Sequence, residues 1–373
     1  MLHVDIPTLP EIKALVMERH PASVSLYLPV TPLTQDVGAD RIEFDNMTKE
    51  ALSQLKKGGT DKRALAALSD QLADLSADDE FWKYQANSLA VLATPEQLRT
   101  FRLPNALTPH VETADRFHLK PLIRSVTFPN DAYVLALSEN KTRFIEVFRD
   151  LPPQEIKVRG LPKSASDALK KATINDRSHS RRIHGSEGQN VRLRQYARLV
   201  DGSLRSVLAG RETPLILAAA DPLAAIFPSV STYPHLLGEV IKGSPDEMKP
   251  GELAEAARPI LDAHYAAEVA ALRKLYTARA KQDRATSDPD RAARAATFGA
   301  VATLLMDIDA SLPGTVGEKT GKVKFAKQAS AASYDIVDEI ASRVLMNGGR
   351  VLGVRKEDMP DGAELAAILR YAV

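Results

Sequence analysis

Residues 133–148 have the sequence YVLALSENKTRFIEVF, and this stretch decides the fold of the middle of the chain. Two segments rich in apolar, β-branched and aromatic residues, 133–137 and 142–148, flank the polar tetrapeptide 138–141. This pattern predicts two neighbouring strands joined by a compact turn. Farther along, the apolar run 214–220 predicts a central strand of a sheet that is covered on both faces.

Helix and strand patterns alternate on both sides of this middle segment. The spacing of apolar residues predicts helices over 9–20, 42–55, 63–75 and 334–345. Strands are predicted over 23–30, 88–93, 99–103, 110–113, 301–308, 351–354 and 366–371. The segment 243–251 has the composition of a linker, and a long helix over 253–281 is expected to break or restart at Pro259. The alternation predicts layered α/β structure, α+β overall.

Composition sets the broad class of the protein. The 373 residues include 49 basic and 48 acidic side chains, so the net charge of +1 excludes a protein that coats nucleic acid over its whole surface. Cysteine is absent, which excludes disulfide scaffolds, thiolate metal sites and cysteine nucleophiles. No signal peptide or membrane-spanning run is visible, and we expect a cytoplasmic protein without a membrane partner.

The most unusual stretch is 181–205, RRIHGSEGQNVRLRQYARLVDGSLR. Residues 176–205 contain seven arginines, no lysine and three acids, a local charge of +4. Arginine favours bidentate contacts with phosphate, and the pattern predicts a basic amphipathic segment behind a glycine-containing loop. The expected apolar face comprises Val191, Leu193, Tyr196, Leu199, Leu204 and Val207. The expected RNA-binding residues are Arg181, Arg182, Arg192, Arg194 and Arg198, and Arg205 extends the basic face. A solvated element whose arginines pair with acids is the alternative interpretation.

The segment Gly185-Ser186-Glu187-Gly188-Gln189, followed by Arg192 and by Tyr196-Ala197-Arg198-Leu199, resembles the Gly-Gly-Gln loop and succeeding helix of the archaeo-eukaryotic class I release factors. The similarity is greatest to the bacterial relatives of this release factor and Pelota family. Further stretches resemble the same group in the same order along the chain. They are SVSLYLP (23–29), HLKPLIRSV (118–126), YVLALSENKTRFIEV (133–147), PLILAAADPLAAIFPSVSTYPHL (214–236) and GGRVLGVRKEDMPDGAELAAILRYAV (348–373).

This resemblance implies a three-domain protein that acts on the ribosome. The domains would be an N-terminal α/β domain (1–115), a ribonuclease-H-like middle domain that carries the loop (116–247) and a ribosomal-protein-like α/β domain (252–373). In the family the loop enters the peptidyl-transferase centre and promotes hydrolysis of the ester between nascent peptide and tRNA. Gly188 and Gln189 would be the catalytic residues, with the Gln189 backbone N–H stabilising the oxyanion. The loop would also include His184, Gly185, Ser186 and Glu187. The partners would be ribosomal RNA and tRNA, and no cofactor is expected.

The first motif position holds Glu187 where the family has glycine, and the family's stop-codon motifs are not visible in residues 1–110. A carboxylate is repelled by packed phosphates, so two functions stay open. One is peptidyl-tRNA hydrolysis in ribosome rescue or quality control. The other is non-catalytic binding to the ribosome or to RNA by a degenerate loop.

A third hypothesis is a metal-dependent hydrolase that uses four closely spaced residues, Asp176, His179, His184 and Glu187. The two histidines are five positions apart rather than the four that align ligands on one helix face, and we therefore predict no metal site there.

Overall fold

The computed structural model describes residues 3–32, 37–127, 131–148, 151–169, 186–327 and 333–372. The chain divides into two compact units, one made of Met1–Phe128 and Ala266–Val373 and the other of Pro129–Tyr265. The described residues form a mixed α/β protein with four sheets, as the alternating pattern predicts at this level. The division into three domains stays a prediction.

The N-terminal part of the first unit is an antiparallel sheet covered by helices. The strands are β1 (Arg19–Pro29), β2 (Ser88–Thr94), β3 (Gln97–Leu103) and β4 (His110–Arg116), in the order β3-β2-β1-β4. The helices are α1 (Leu9–Met17), α2 (Val37–Lys57), α3 (Lys62–Ala77), α4 (Asp79–Trp82) and α5 (Lys120–Thr127). Apolar residues at helical spacing, such as Phe44, Met47 and Leu55 on α2, pack against β1 and β2. The predicted elements of this segment are confirmed within a few residues.

The second unit contains a five-stranded sheet of mixed direction. Its strands are β5 (Asp131–Leu137), β6 (Thr142–Phe148), β7 (Gln154–Glu155), β8 (Leu215–Ala219) and β9 (Leu236–Lys242), in the order β7-β6-β5-β8-β9. Its helices are α6 (Ser186–Leu208), α7 (Leu223–Val230) and α8 (Pro250–Ala280), of which the last extends beyond the unit. Leu217 of β8 packs in the core under α6, and Ile216 packs in the core under the first half of α8. The predicted central strand is therefore confirmed as buried on both faces.

The expected break at Pro259 is wrong, because α8 continues through this residue. Helix α8 places Leu253, Ala257, Ile260 and Leu261 in one buried cluster on both sides of the proline. Tertiary burial of this apolar face offsets the local cost of proline in a helix interior.

The C-terminal part of the first unit holds two further sheets. The larger one, in the order β10-β16-β11-β15, contains β10 (Ala285–Thr286), β11 (Val301–Asp307), β15 (Arg350–Val354) and β16 (Leu365–Leu369). The smaller one contains β12 (Pro313–Val316), β13 (Val323–Phe325) and β14 (Tyr334–Asp335). Helices α9 (Pro289–Thr297) and α10 (Ile336–Met346) pack with both sheets. No helix within the described ranges has the length and apolar character needed to cross a bilayer.

Three alternate basic residues, the first at the end of β4, join the two sequence-distant parts of the first unit. Arg116 Nη1 lies 2.6 Å from Glu339 Oε2, and both side chains are buried. Lys120 Nζ lies 3.5 Å from Asp335 Oδ2. Between them, His118 Nδ1 lies 3.4 Å from Asp338 Oδ2, and that oxygen also accepts the Leu119 N–H. The acidic beginning of α10 therefore meets a basic row from the N-terminal segment.

Candidate functional site

Helix α6 carries most of the predicted site, and its buried face fixes its position on the sheet. Leu193, Tyr196, Val200, Leu204 and Leu208 lie in one core cluster with residues of β5, β8 and α7. Their spacing of three and four places them on one side of the helix. The prediction of a basic amphipathic segment is confirmed for this helix, and the sheet determines which side faces outward.

The opposite side of α6 exposes arginines. Arg192, Arg194 and Arg198 are exposed, and no acidic side chain of the described residues lies within ion-pair distance of them. Arg205 differs, since its Nη2 lies 3.6 Å from Asp201 Oδ2. The first three guanidinium groups are therefore available for contacts with an anionic partner such as phosphate.

The predicted apolar face is wrong at two positions. Val191 is 63% exposed and Leu199 is 44% exposed, and both lie among the arginines rather than in the core. At 100° per residue they fall on the side of the helix opposite Val200 and Leu204. Ala197 and Val200 occupy the buried positions instead, so the exposed surface combines arginine with two apolar side chains.

Helix α6 begins at Ser186, inside the segment that the sequence predicts to be loop. Gly188 and Gln189 therefore lie in the first turn of the helix. The spacing Ser186-x-x-Gln189 in the sequence is typical of helix N-termini, and this local signal predicts an earlier helix start. Arg181, Arg182, His184 and Gly185 lie outside the described residues, as do Asp176 and His179 of the alternative metal set.

The side chain of Gln189 is exposed and contacts the turn between β5 and β6. Its Nε2 donates a hydrogen bond of 3.1 Å to Glu139 Oε1. The turn itself is organised by Ser138, whose Oγ accepts the backbone N–H groups of Asn140 at 3.0 Å and Lys141 at 2.9 Å. The Glu139 carboxylate that accepts the Gln189 hydrogen bond therefore belongs to a compact, hydrogen-bonded turn.

Tyr196 attaches the buried side of α6 to the same turn. Its hydroxyl donates to the Ser138 carbonyl at 3.0 Å and forms a short hydrogen bond with the Thr142 hydroxyl. Burial, with the nearby acids Asp246 and Glu139, raises the pKa of Tyr196 to about 12 despite the opposing effect of the Thr142 bond. The tyrosine thus stays neutral at physiological pH and holds the helix at a fixed height on β5 and β6.

Asp201 anchors α6 farther along its length. This buried carboxylate accepts hydrogen bonds from the Ser231 hydroxyl at 3.0 Å, the Thr232 N–H at 3.0 Å and the Thr232 hydroxyl at 2.8 Å. It thereby fixes the segment that follows α7 against the helix. Ser138, Glu139, Tyr196 and Asp201 are positioning residues that sequence reasoning did not identify, because their partners are distant in sequence.

Among known proteins, residues 129–267 match the model for the bacterial archaeo-eukaryotic release factor family 11. The match confirms the resemblance predicted from the sequence, and over this segment the chain is similar to that release-factor family. No curated protein matches the chain.

Solved structures of low sequence identity also align with the chain. A ribosome-bound archaeal Pelota, in a model with ABCE1, is 13% identical and has a TM-score of 0.42, with 99% of this chain and 96% of that chain covered. Dom34 of S. cerevisiae, a translation termination-like factor, is 14% identical with a TM-score of 0.41 and coverage of 77% and 80%. The archaeal translation termination factor aRF1 is 17% identical with a TM-score of 0.22 and coverage of 98% and 99%.

Proposed function

We propose that this chain is a ribosome-associated, release-factor-like protein that hydrolyses peptidyl-tRNA in ribosome rescue or quality control. The observation that carries the proposal is the family match over residues 129–267, which includes Gly188 and Gln189 at the exposed start of an arginine-faced helix. The proposal includes a three-domain organisation, with a ribonuclease-H-like middle domain and a ribosomal-protein-like C-terminal domain.

The chemistry assigned to the site needs backbone and amide groups rather than a nucleophilic side chain. Gln189 would present its backbone N–H to the oxyanion that develops on the ester carbonyl and its side-chain amide to the attacking water. Gly188 has no side chain, which allows RNA to approach the helix start closely. Arg181, Arg182, Arg192, Arg194 and Arg198 would bind phosphates of ribosomal RNA or tRNA.

In the conformation described, the Gln189 amide donates to Glu139. Hydrolysis therefore requires that this exposed hydrogen bond be exchanged for contacts in the peptidyl-transferase centre. Such an exchange is inexpensive, because a solvent-exposed hydrogen bond contributes only about 0.5–1.5 kcal/mol at most. Glu139 is then a positioning residue for the free protein and not a group that touches substrate.

The hydrogen bond between Gln189 and Glu139 favours a second candidate function, in which the protein binds ribosomes without hydrolysis. Glu187 replaces the first glycine of the family motif, and Glu139 engages the glutamine. A carboxylate residue in the first motif position, together with the Glu139 carboxylate that holds Gln189, disfavours deep insertion among RNA phosphates. Under this alternative the arginine face of α6 still carries binding.

The experiment that separates these functions uses stalled ribosome complexes with labelled peptidyl-tRNA. Added protein is expected to release peptide, and Gln189→Ala is expected to lower the rate at least tenfold. Gln195→Ala is the matched control, because Gln195 is an exposed glutamine on the same helix outside the motif. Ribosome co-sedimentation without release, in both wild type and Glu187→Gly, supports the binding function. Neither release nor co-sedimentation at low salt would contradict both.

A further inference from the structure

A cluster of possible metal ligands lies in the first unit, in a different unit from Gly188 and Gln189. His110 and Glu112 are two positions apart on β4, so their side chains lie on the same face of the strand. His118 follows shortly after β4. One ligand atom from each of these three residues lies within 4.8 Å of the others.

The distances from the Glu112 oxygen to the two histidine nitrogens fit those between ligand atoms around a small divalent cation. His110 Nε2 lies 3.1 Å from Glu112 Oε2, and His118 Nδ1 lies 3.5 Å from the same oxygen. A tetrahedral ion with bonds of about 2.0–2.1 Å holds its ligand atoms about 3.3 Å apart. Each ring nitrogen therefore lies at a ligand-to-ligand distance from the carboxylate oxygen, and the two nitrogens lie within 4.8 Å of each other.

His118 supplies an independent observation that points to a ligand. His118 is 8% exposed, and its buried Nδ1 has no hydrogen-bond partner in the described structure. The backbone of His118 is held in place, because its backbone N–H donates to Ser25 Oγ at 2.9 Å and its backbone carbonyl accepts the Tyr27 hydroxyl. A fixed, buried ring nitrogen that lacks a hydrogen bond and faces two carboxylates is well placed to donate its lone pair to a cation.

We propose that His110 Nε2, Glu112 Oε2 and His118 Nδ1 bind one divalent transition-metal ion of the Zn²⁺ class. Two imidazoles and one carboxylate favour Zn²⁺ over Mg²⁺ or Ca²⁺, which prefer oxygen ligands. His110 is exposed, so the site is open to solvent on that side and leaves a coordination position for water or a small ligand.

The charged groups around the cluster balance such an ion. Asp338 Oδ2 lies 3.4 Å from His118 Nδ1, so it adds negative charge beside the proposed ion. The charge of Lys120 is directed to other groups, because its Nζ lies 3.5 Å from Asp335 Oδ2 and also donates to the Ala310 carbonyl.

Titration of chelator-treated protein with Zn²⁺ tests the proposal without ribosomes, so its outcome is independent of the release assay. We expect one Zn²⁺ per chain, and Co²⁺ in its place is expected to give the visible absorption of a low-symmetry site. His110→Ala and Glu112→Gln are expected to weaken Zn²⁺ binding at least tenfold. Neither residue takes part in the two backbone hydrogen bonds of His118, to Ser25 Oγ and from the Tyr27 hydroxyl, so these bonds are expected to persist in both variants.

His20→Ala is the matched control, since His20 also pairs with a glutamate, Glu96, at 3.7 Å on the same sheet. Zn²⁺ affinity is expected to stay at the wild-type value in this variant. Absence of Zn²⁺ binding to the wild-type protein would overturn the proposal and leave His118 as an ion-pair partner of Asp338. Binding that is unchanged by both cluster variants would overturn it as well.

Discussion

Arg116 and Glu339 form a buried ion pair, with 2.6 Å between Nη1 and Oε2, that connects the first third of the chain to its last helix. Glu339 also accepts a hydrogen bond of 2.8 Å from Arg343 Nε. The guanidinium of Arg116 lies over the Tyr334 ring, 4.0 Å from its centroid, and pairs with Asp115. The terminal segments therefore form one structural unit in spite of the intervening middle segment.

We expect Glu339→Gln to lower the free energy of unfolding of this unit by about 2–3 kcal/mol, because removing one partner leaves a buried charge less compensated. Trp82, the only tryptophan, is buried in the same unit, so its fluorescence during urea unfolding provides the measurement. Glu357→Gln is the control. Glu357 is exposed and pairs with Arg355 at 3.6 Å, and we expect a change below about 1 kcal/mol. Equal effects of the two substitutions would contradict the buried-pair interpretation.

Tyr196 provides the second prediction. Tyr196→Phe removes the hydroxyl that bonds to Ser138 and Thr142, and leaves these groups with fewer partners. We expect a loss of about 1–2 kcal/mol in stability of the second unit and faster hydrogen exchange in the 138–142 turn. Tyr371→Phe is the control, because Tyr371 is 53% exposed and its hydroxyl makes only a long hydrogen bond of 3.5 Å. Unchanged exchange in the turn would show that the hydroxyl does not position α6.

Local patterns predicted most of the longer helices and strands of this protein, and contacts between distant segments determine several features that the patterns missed. The turn between β5 and β6 is visible in 138–141, since its polar residues interrupt two apolar runs. The start of α6 at Ser186 also has a local signal, the Ser186-x-x-Gln189 spacing. By contrast, the burial of Val200 rather than Leu199 depends on where the sheet meets the helix. The grouping of His118 with His110 and Glu112 depends on how the chain turns after β4, which no local pattern specifies.

Asp131 gives a prediction for pH dependence. Burial and the neighbouring Glu146 carboxylate raise the pKa of Asp131 to about 7. This pKa in the folded protein is above the value of about 3.9 in unfolded chains. Below about pH 4 the carboxyl is protonated in both states and stability is unaffected. Between about pH 4 and 7 only the folded state binds the proton, so the free energy of unfolding of the second unit falls as pH rises. Asp131→Asn removes the charge and is expected to stabilise the protein by up to about 4 kcal/mol at pH 8 and very little near pH 4, since each unit of pKa difference corresponds to about 1.4 kcal/mol.

Thermal unfolding of the Asp131→Asn variant and the wild type at both pH values measures this difference. Glu239→Gln is the control, because Glu239 is an exposed carboxylate in the same unit. Its effect is expected to be small and equal at the two pH values. A stabilisation by Asp131→Asn that is as large at pH 4 as at pH 8 would mean that the charge is not the cause.

The arginine face of α6 gives the last prediction, which tests binding separately from hydrolysis. Combined replacement of Arg192, Arg194 and Arg198 by alanine is expected to weaken RNA binding and to reduce the slope of log K against log salt by about 2 to 3, because each phosphate contact contributes about 0.7–0.9. The fold is expected to persist, since all three side chains are exposed. Arg63→Ala, which changes an exposed arginine on α3, serves as the control.

If the triple variant retains the wild-type salt slope for ribosomes and for RNA, another surface carries the binding. Gln189→Ala, in contrast, is expected to leave this slope unchanged, because an uncharged amide releases no counterions.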